Sequence, residues 1–469
     1  MMNKLMLMSL VAVAFGAANA QEGDTTKTEP ASQGTSQEEA LTNVKGQVEG
    51  LNESYLETKS TVDKLAKIKV GGYVQAQWQY ADSLSQASVN GGNFTASSRE
   101  RMILRRARLK TTWQGTTSRF VLEIDALPAG ITIKDVNAQI TEPWLKAFSL
   151  TAGVQDRPFG FEVGYSSSAI ELPERTRGSQ VLMPGEKDLG VEIEFAGTEK
   201  MGLLELFNLK AGVFTGVGVN NPITTTPAAN LIENDNEKDY IGRAGFAIPF
   251  YDINMAIDGG FSAYLGKVTN STGKAAKVGS IGDTLTWVNE TGKAALDAYD
   301  RNLMGVDAQL YYDIPYIGGI SLRGEYWWGD WVSVSGNNGL YAFAVDTNGV
   351  YERKVASWYV MAVQNIGGMN QIAVRYDMFD PNTDVEGDDI GKFKSSRLNV
   401  NDAAQSTLGL AWNFFWDEAV RFTFNYDFNM NEKVNSAAAG SNAANTAAFK
   451  KWSDDFDNNQ MTVRMQVKF

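Results

Sequence analysis

The 469-residue chain has no cysteine and no histidine. The first absence excludes disulfides, cysteine nucleophiles and thiolate metal sites, and with the second it excludes every Cys/His zinc set. The commonest general base is gone as well. Proline is scarce, at 11 residues against 45 glycines. The strings G-x-S-x-G, G-x-x-x-x-G-K-[ST] and H-E-x-x-H are missing. Paired carboxylates are the catalytic device that remains. Glu192 and Glu194 point the same way on a strand, about 7 Å apart by strand rise. Any polar face of a sheet supplies such pairs, so a hydrolase stays a minor alternative and the chain reads as no enzyme, with no cofactor and no metal. A formal charge of −13 argues against a nucleic-acid binder, which needs a basic footprint.

Met1–Ala20 has a basic start at Lys4, an apolar run over Leu5–Phe15 and a small-residue end, Ala18-Asn19-Ala20. That is a secretory signal peptide, too short for a spanning helix of about 20 apolar residues. Residues 21–36 are polar and read as a disordered linker. Over 37–67 the pattern becomes heptad. Leu41, Val44, Val48, Leu51, Tyr55, Val62 and Leu65 fall at steps of three and four, with Thr58 in the remaining seam position. A helix with so narrow a seam is used by self-association, as a coiled coil; the alternative is packing on the protein's own body.

From Lys69 the apolar period changes to two. Val70, Val74, Ala76, Trp78 and Tyr80 alternate with Tyr73, Gln75, Gln77 and Gln79, and Val420–Met430 alternates more strictly still. Sixteen such segments recur to the C-terminus. They predict an all-β fold: a 16-stranded antiparallel transmembrane β-barrel over 69–469, apolar outwards and polar inwards, preceded by a short periplasmic coiled-coil helix. The predicted connections alternate in length, short turns on one side and long loops on the other, except for Leu127–Gly130. That sorting belongs to outer-membrane barrels and places the helix in the periplasm of a Gram-negative cell. Trp78, Tyr80, Trp113, Trp144, Trp327, Trp328, Trp412, Phe414 and Trp416 near strand ends read as interfacial girdles against outer-membrane lipid.

The C-terminus, MTVRMQVKF, alternates and ends on Phe469, which looks like an outer-membrane assembly signal. GGYVQAQWQY (71–80), RMILRRARLKTTWQG (101–115), LTAGVQDRPFGFE (150–162) and KDLGVEIEFAG (187–197) resemble the phosphate-selective porin O and P family, especially its members in Bacteroides-like bacteria. The resemblance implies a homotrimeric, sixteen-stranded porin whose long third loop, Arg157–Lys187, folds into the lumen as a constriction. A helical segment before the barrel departs from the family's pattern.

Alternation turns Arg106, Arg108, Lys110 and Arg119 into the lumen, a basic ladder able to steer anions. The competing reading is that these bases pair with lumenal carboxylates, because inward bases and acids balance. The constriction loop balances too, with Arg157, Arg175, Arg177 and Lys187 against Glu162, Glu171, Glu174 and Glu186. Residues 218–239, with Glu233, Asp235, Glu237 and Asp239, and 380–401, with five acids, read as solvated acidic faces in preference to cation sites. The function expected is passive diffusion of small hydrophilic solutes across the outer membrane, with a preference for anions such as phosphate. The alternative is a structural barrel that ties the membrane to the cell wall through the helix.

Overall fold

A computed structural model describes residues 33–128, 130–218, 236–270, 272–334, 349–437 and 443–469. The expected signal peptide, linker residues 21–32, Glu233 and Asp235 lie outside these. The chain divides into two units after Leu65.

The first unit is helix α1, Gln33–Leu65. It takes in residues 33–36, assigned to the linker from sequence, and stops two residues short of position 67. At 33 residues it measures about 50 Å. The seven apolar seam side chains are all exposed, from 55% for Val44 to 71% for Leu51.

The second unit is built of strands β1 (Ile68–Ala81), β2 (Glu100–Gln114), β3 (Ser118–Leu127), β4 (Gly130–Thr141), β5 (Phe148–Asp156), β6 (Lys187–Ala196), β7 (Phe207–Phe214), β8 (Asp239–Phe250), β9 (Met255–Thr269), β10 (Ala275–Ile281), β11 (Thr284–Asn289), β12 (Ala298–Ile314), β13 (Gly318–Val334), β14 (Val350–Ile366), β15 (Asn370–Asp380), β16 (Gln405–Phe415), β17 (Val420–Asn431) and β18 (Gln460–Lys468). Sixteen of them form a closed antiparallel ring in which each pairs with its sequence neighbour and β9 pairs with β12. The ring shuts where β1 pairs with β18, from Tyr73 opposite Lys468 to Ala81 opposite Gln460. Closure leaves no unpaired edge, which is what hydrocarbon demands of a sheet.

The two remaining strands, β10 and β11, are a hairpin inside a long loop. Its first strand, β10, pairs parallel with the start of β14, Ala275 opposite Val350. Its Trp287 packs with Tyr351, Val385, Ile390 and Phe449, so three long loops share one small core at that rim. The sequence pattern missed this hairpin, as it missed helix α3 (Ala443–Trp452), because neither bears the barrel's alternation.

Burial follows the alternation. On β17 Arg421, Thr423, Asn425 and Asp427 are buried, whereas Phe424 and Phe428 are exposed. Trp327 is the exception among the girdle residues. It points inwards, 3% exposed, and packs edge-on against Phe159 at 5.1 Å. Its neighbour Trp328 faces out and stacks on Tyr326.

Candidate functional site

The lumen is shaped by the 157–186 loop between β5 and β6 and by two β-bulges. A bulge inserts one residue into one strand and so breaks strict alternation. In the β1–β2 ladder Gln75 lies opposite Arg106 and Ala76 opposite Leu104, which leaves Arg105 extra. In the β3–β4 ladder Glu123 lies opposite Asp135 and Ile124 opposite Ile133, which leaves Lys134 extra. Strict alternation would put Arg105 in lipid. The bulge brings it to the lumenal side with Arg106.

Both arginines close on Glu174 of the loop. Arg105 Nε and Nη2 donate to its two oxygens at 2.7 and 3.0 Å. Arg106 Nη2 donates at 2.7 Å, and Arg464 of β18 completes the set at 3.0 Å. Gln75 and Gln77 accept from Arg106 and Arg464 in turn. Burial alone would push the Glu174 carboxyl up. The Arg105, Arg106 and Arg464 guanidinium groups outweigh it and hold the carboxyl well below the usual carboxylate range.

The rest of the expected basic ladder is also paired. Arg108 meets Glu123 at 3.3 Å and Asp125 at 3.4 Å, and Lys110 meets Glu123 at 3.3 Å. Arg119 is the exception: among the described residues it has no ion pair, and it borders the main lumenal cavity. The loop's own bases are spent on the fold. Arg157 donates to the carbonyls of Pro184 and Glu186, tying the two stems of the loop together. Arg175 donates to the Glu162 carbonyl at 3.0 Å and pairs with Glu186. Arg177 opens the short helix α2 (Arg177–Leu182), with its backbone N–H near Asp377. Lys187 is the first residue of β6 rather than the last of the loop, and bridges Asp135 at 3.1 Å and Asp156 at 2.7 Å.

From its stems the loop crosses to the far wall. Phe159 buries itself against Trp327 and Tyr264. The N–H groups of Phe161 and Glu162 donate to Glu325 at 2.9 and 3.1 Å. Glu171 pairs with Arg323 at 3.0 Å, and its carbonyl accepts from Asn413 at 2.9 Å. The loop is therefore fastened to β2, β13, β16 and β18, which brings together residues from both ends of the sequence.

Among the described residues, two sizeable lumenal spaces lie beside it. One, of about 580 Å³, lies between the first half of the loop and the wall that carries Lys110, Arg119, Glu192 and Lys210. The other, of about 460 Å³, reaches the short-turn rim past Tyr311, Arg323 and Gln371. Both fall in the range of small-solute sites, roughly 300–1,000 Å³. Glu192 and Glu194 line the first space; Glu194 accepts from Asn208 at 2.8 Å and pairs with Lys210 at 3.5 Å.

Sequence reasoning passed over Arg105, Phe161 and Tyr165. A signal for Arg105 was present: two adjacent arginines inside a strand cannot both avoid lipid unless a bulge intervenes. Lys134 next to Asp135 poses the same problem and has the same solution.

No curated protein matches the sequence. Among solved structures, Pseudomonas putida OprB is similar at 10% identity and a TM-score of 0.51, covering 88% of this chain and 96% of its own. The anion-selective porin from Comamonas acidovorans is 12% identical, with a TM-score of 0.48 over 86% of this chain and 99% of its own. The outer membrane channel DcaP of Acinetobacter baumannii is 10% identical, with a TM-score of 0.49 over 86% and 97%. At such identities the OprB likeness speaks for the fold alone. The family that the stretches at 71–80, 101–115, 150–162 and 187–197 resemble is the one whose model matches at the other end of the chain: phosphate-selective porin O and P, over residues 327–469.

Proposed function

We propose that the protein is a passive outer-membrane porin through which small hydrophilic solutes diffuse past the 157–186 loop. The observation that carries this is the closed ring with reversed polarity, apolar outside and polar inside, that keeps cavities beside a fastened loop. The family match and the barrel support an outer-membrane channel and give no support to a cell-wall tether. Selectivity for anions such as phosphate is weak in this reading, because of the four ladder bases Arg106, Arg108 and Lys110 are neutralised and only Arg119 has no ion pair among the described residues. Purified protein in a planar bilayer is expected to give stepwise conductance, with a reversal potential slightly to the chloride side in a KCl gradient. Correctly folded barrels that never conduct would overturn the channel.

Helix α1 serves assembly in the periplasm, not permeation. A stripe of seven exposed seam residues is used by self-association, and a homotrimer fits the resemblance. Deleting residues 21–67 is expected to leave single-channel conductance unchanged and to reduce cross-linked trimer. A lost conductance would place the helix in the pathway instead.

Phe469 acts in assembly and in closure. Gly72 N–H donates to the Phe469 carbonyl, and Phe469 N–H to the Gly72 carbonyl, each at 3.0 Å, while the residue as a whole stays exposed. Phe469→Ala keeps both backbone bonds and removes the ring. It is expected to lower the yield of heat-modifiable barrel in cells several-fold while refolding in detergent proceeds as in the native chain. Equal yields in cells would leave Phe469 with the closing bonds alone.

A further inference from the structure

The lumenal surface is polar nearly everywhere a solute meets it, so its exposed apolar groups are the informative ones. Phe161 and Tyr165 are stacked, ring centroids 5.2 Å apart and 27° between planes. Both are half-buried and border the 580 Å³ cavity. Phe159, two residues earlier, is fully buried and anchors the loop. Anchoring therefore does not account for the pair that stays open to the lumen.

The pair is held rigidly. The Phe161 and Glu162 N–H groups are fixed on Glu325, and the Tyr165 hydroxyl donates to Glu171 at 3.0 Å. The Arg323 guanidinium lies 5.7 Å from the Phe161 centroid and 5.0 Å from that of Tyr165. A pre-set aromatic surface loses little freedom when a solute docks on it.

The same cavity is bordered by amides and hydroxyls: Asn137, Gln139, Thr151 and Gln155. Gln155 is 6% exposed, and its amide nitrogen has no hydrogen-bond partner among the described residues. A buried donor left unpaired costs free energy that a ligand acceptor recovers. Most charges here cancel in pairs, Lys210 with Glu194, Arg243 with Asp307, and Lys187 with Asp135 and Asp156, and the two lining charges without an ion pair among the described residues, Arg119 and Glu192, are of opposite sign. The site therefore offers an aromatic face, a set of neutral hydrogen-bonding groups and little net field. A pyranose ring matches all three, with an apolar C–H face, a belt of hydroxyls and no charge.

We infer that the space between Phe161/Tyr165 and the β4–β5 wall is a subsite for neutral pyranose saccharides in transit. This inference rests on the channel reading. The probe is maltotriose, with acyclic sorbitol as control, added to single channels of the full-length protein in KCl. Maltotriose is expected to block the current saturably, and sorbitol to lower it only as it lowers bulk conductivity. In the Phe161→Leu/Tyr165→Leu variant, which keeps apolar bulk and loses both aromatic faces, the half-blocking concentration is expected to rise about tenfold or more. Gln155→Leu is expected to raise it several-fold at unchanged KCl conductance. Equal responses to the two polyols, or a doubly substituted channel blocked like the native one, would overturn the subsite. Calorimetric titration of detergent-solubilised protein with maltotriose separates the two readings. Heat of binding that vanishes in the double variant, without any KCl conductance, would sink the channel and keep the subsite; conductance without binding heat would do the reverse.

Discussion

Glu174→Gln is expected to convert a weakly selective channel into a clearly anion-selective one and to loosen the loop that narrows it. The substitution keeps the shape of the side chain and removes its charge. Arg105, Arg106 and Arg464, now held at 2.7–3.0 Å by one carboxylate, would be left as a cluster of three unbalanced cations. Removing one partner from a buried ionic cluster costs about 3–5 kcal/mol. The loop keeps Glu171–Arg323 and the Glu325 bonds, so that cost falls on its docking and leaves the ring intact. The reversal potential in a KCl gradient should move towards chloride, and open-channel noise should rise. An unchanged reversal potential would mean that the cluster lies off the conducting path.

The acid response of the native channel follows from the same contacts. The folded-state Glu174 carboxyl titrates below its unfolded range, so its contribution is fully present above roughly pH 4.3. It is lost only as pH falls through the depressed folded value. The difference in selectivity between the native channel and Glu174→Gln should therefore persist from pH 7 down to about pH 4, across the range where an ordinary glutamate begins to protonate. Glu174→Gln should show the anion-selective state at every pH in that window. A native channel whose selectivity shifts between pH 6 and pH 5 would point to a different titrating group.

The barrel itself was legible from the residues because hydrocarbon enforces its pattern at every strand. All sixteen ring strands fall where the period-two segments predict them, and the 157–187 loop is displaced by one residue at its C-terminal end. What the pattern could not express was any feature that departs from a period of two. The bulges at Arg105 and Lys134 add a residue on one strand only, and alternation read straight through them. The partners of Glu174 lie 68 to 290 residues away, and only closure of the ring brings Arg464 beside Arg106. A count of lumenal charges showed balance, and balance alone leaves open whether the bases stand free or paired. Distances settled that for Arg106, Arg108 and Lys110. Trp327 was misplaced for a related reason: next to Trp328, one of the two must face inwards, and the loop's Phe159 supplies the apolar contact that lets it.

Gly160→Ala is expected to undock the first half of the loop, whereas Gly164→Ala four residues on is expected to do nothing. Gly160 has φ +65°, and a Cβ there would sit 1.8 Å from Glu325 Oε1. The left-handed backbone costs an alanine about 1–2 kcal/mol. Displacing the Glu325 carboxyl strands the N–H groups of Phe161 and Glu162, at about 1–3 kcal/mol for a buried unpaired group. Together these terms are comparable with the loss at Glu174, and they act at the opposite attachment. Gly164 has open space where its Cβ would go, so alanine there meets no contact. The two attachments predict different phenotypes. Loss of Glu174 exposes charge, so selectivity changes first. Loss of the Gly160–Glu325 contact exposes no cation, so single-channel conductance and protease sensitivity of the 157–186 segment should rise while the reversal potential stays near its native value. If Gly160→Ala shifted selectivity as strongly as Glu174→Gln, the loop would be moving as one rigid body, and its two fastenings would have to be treated as a single coupled latch.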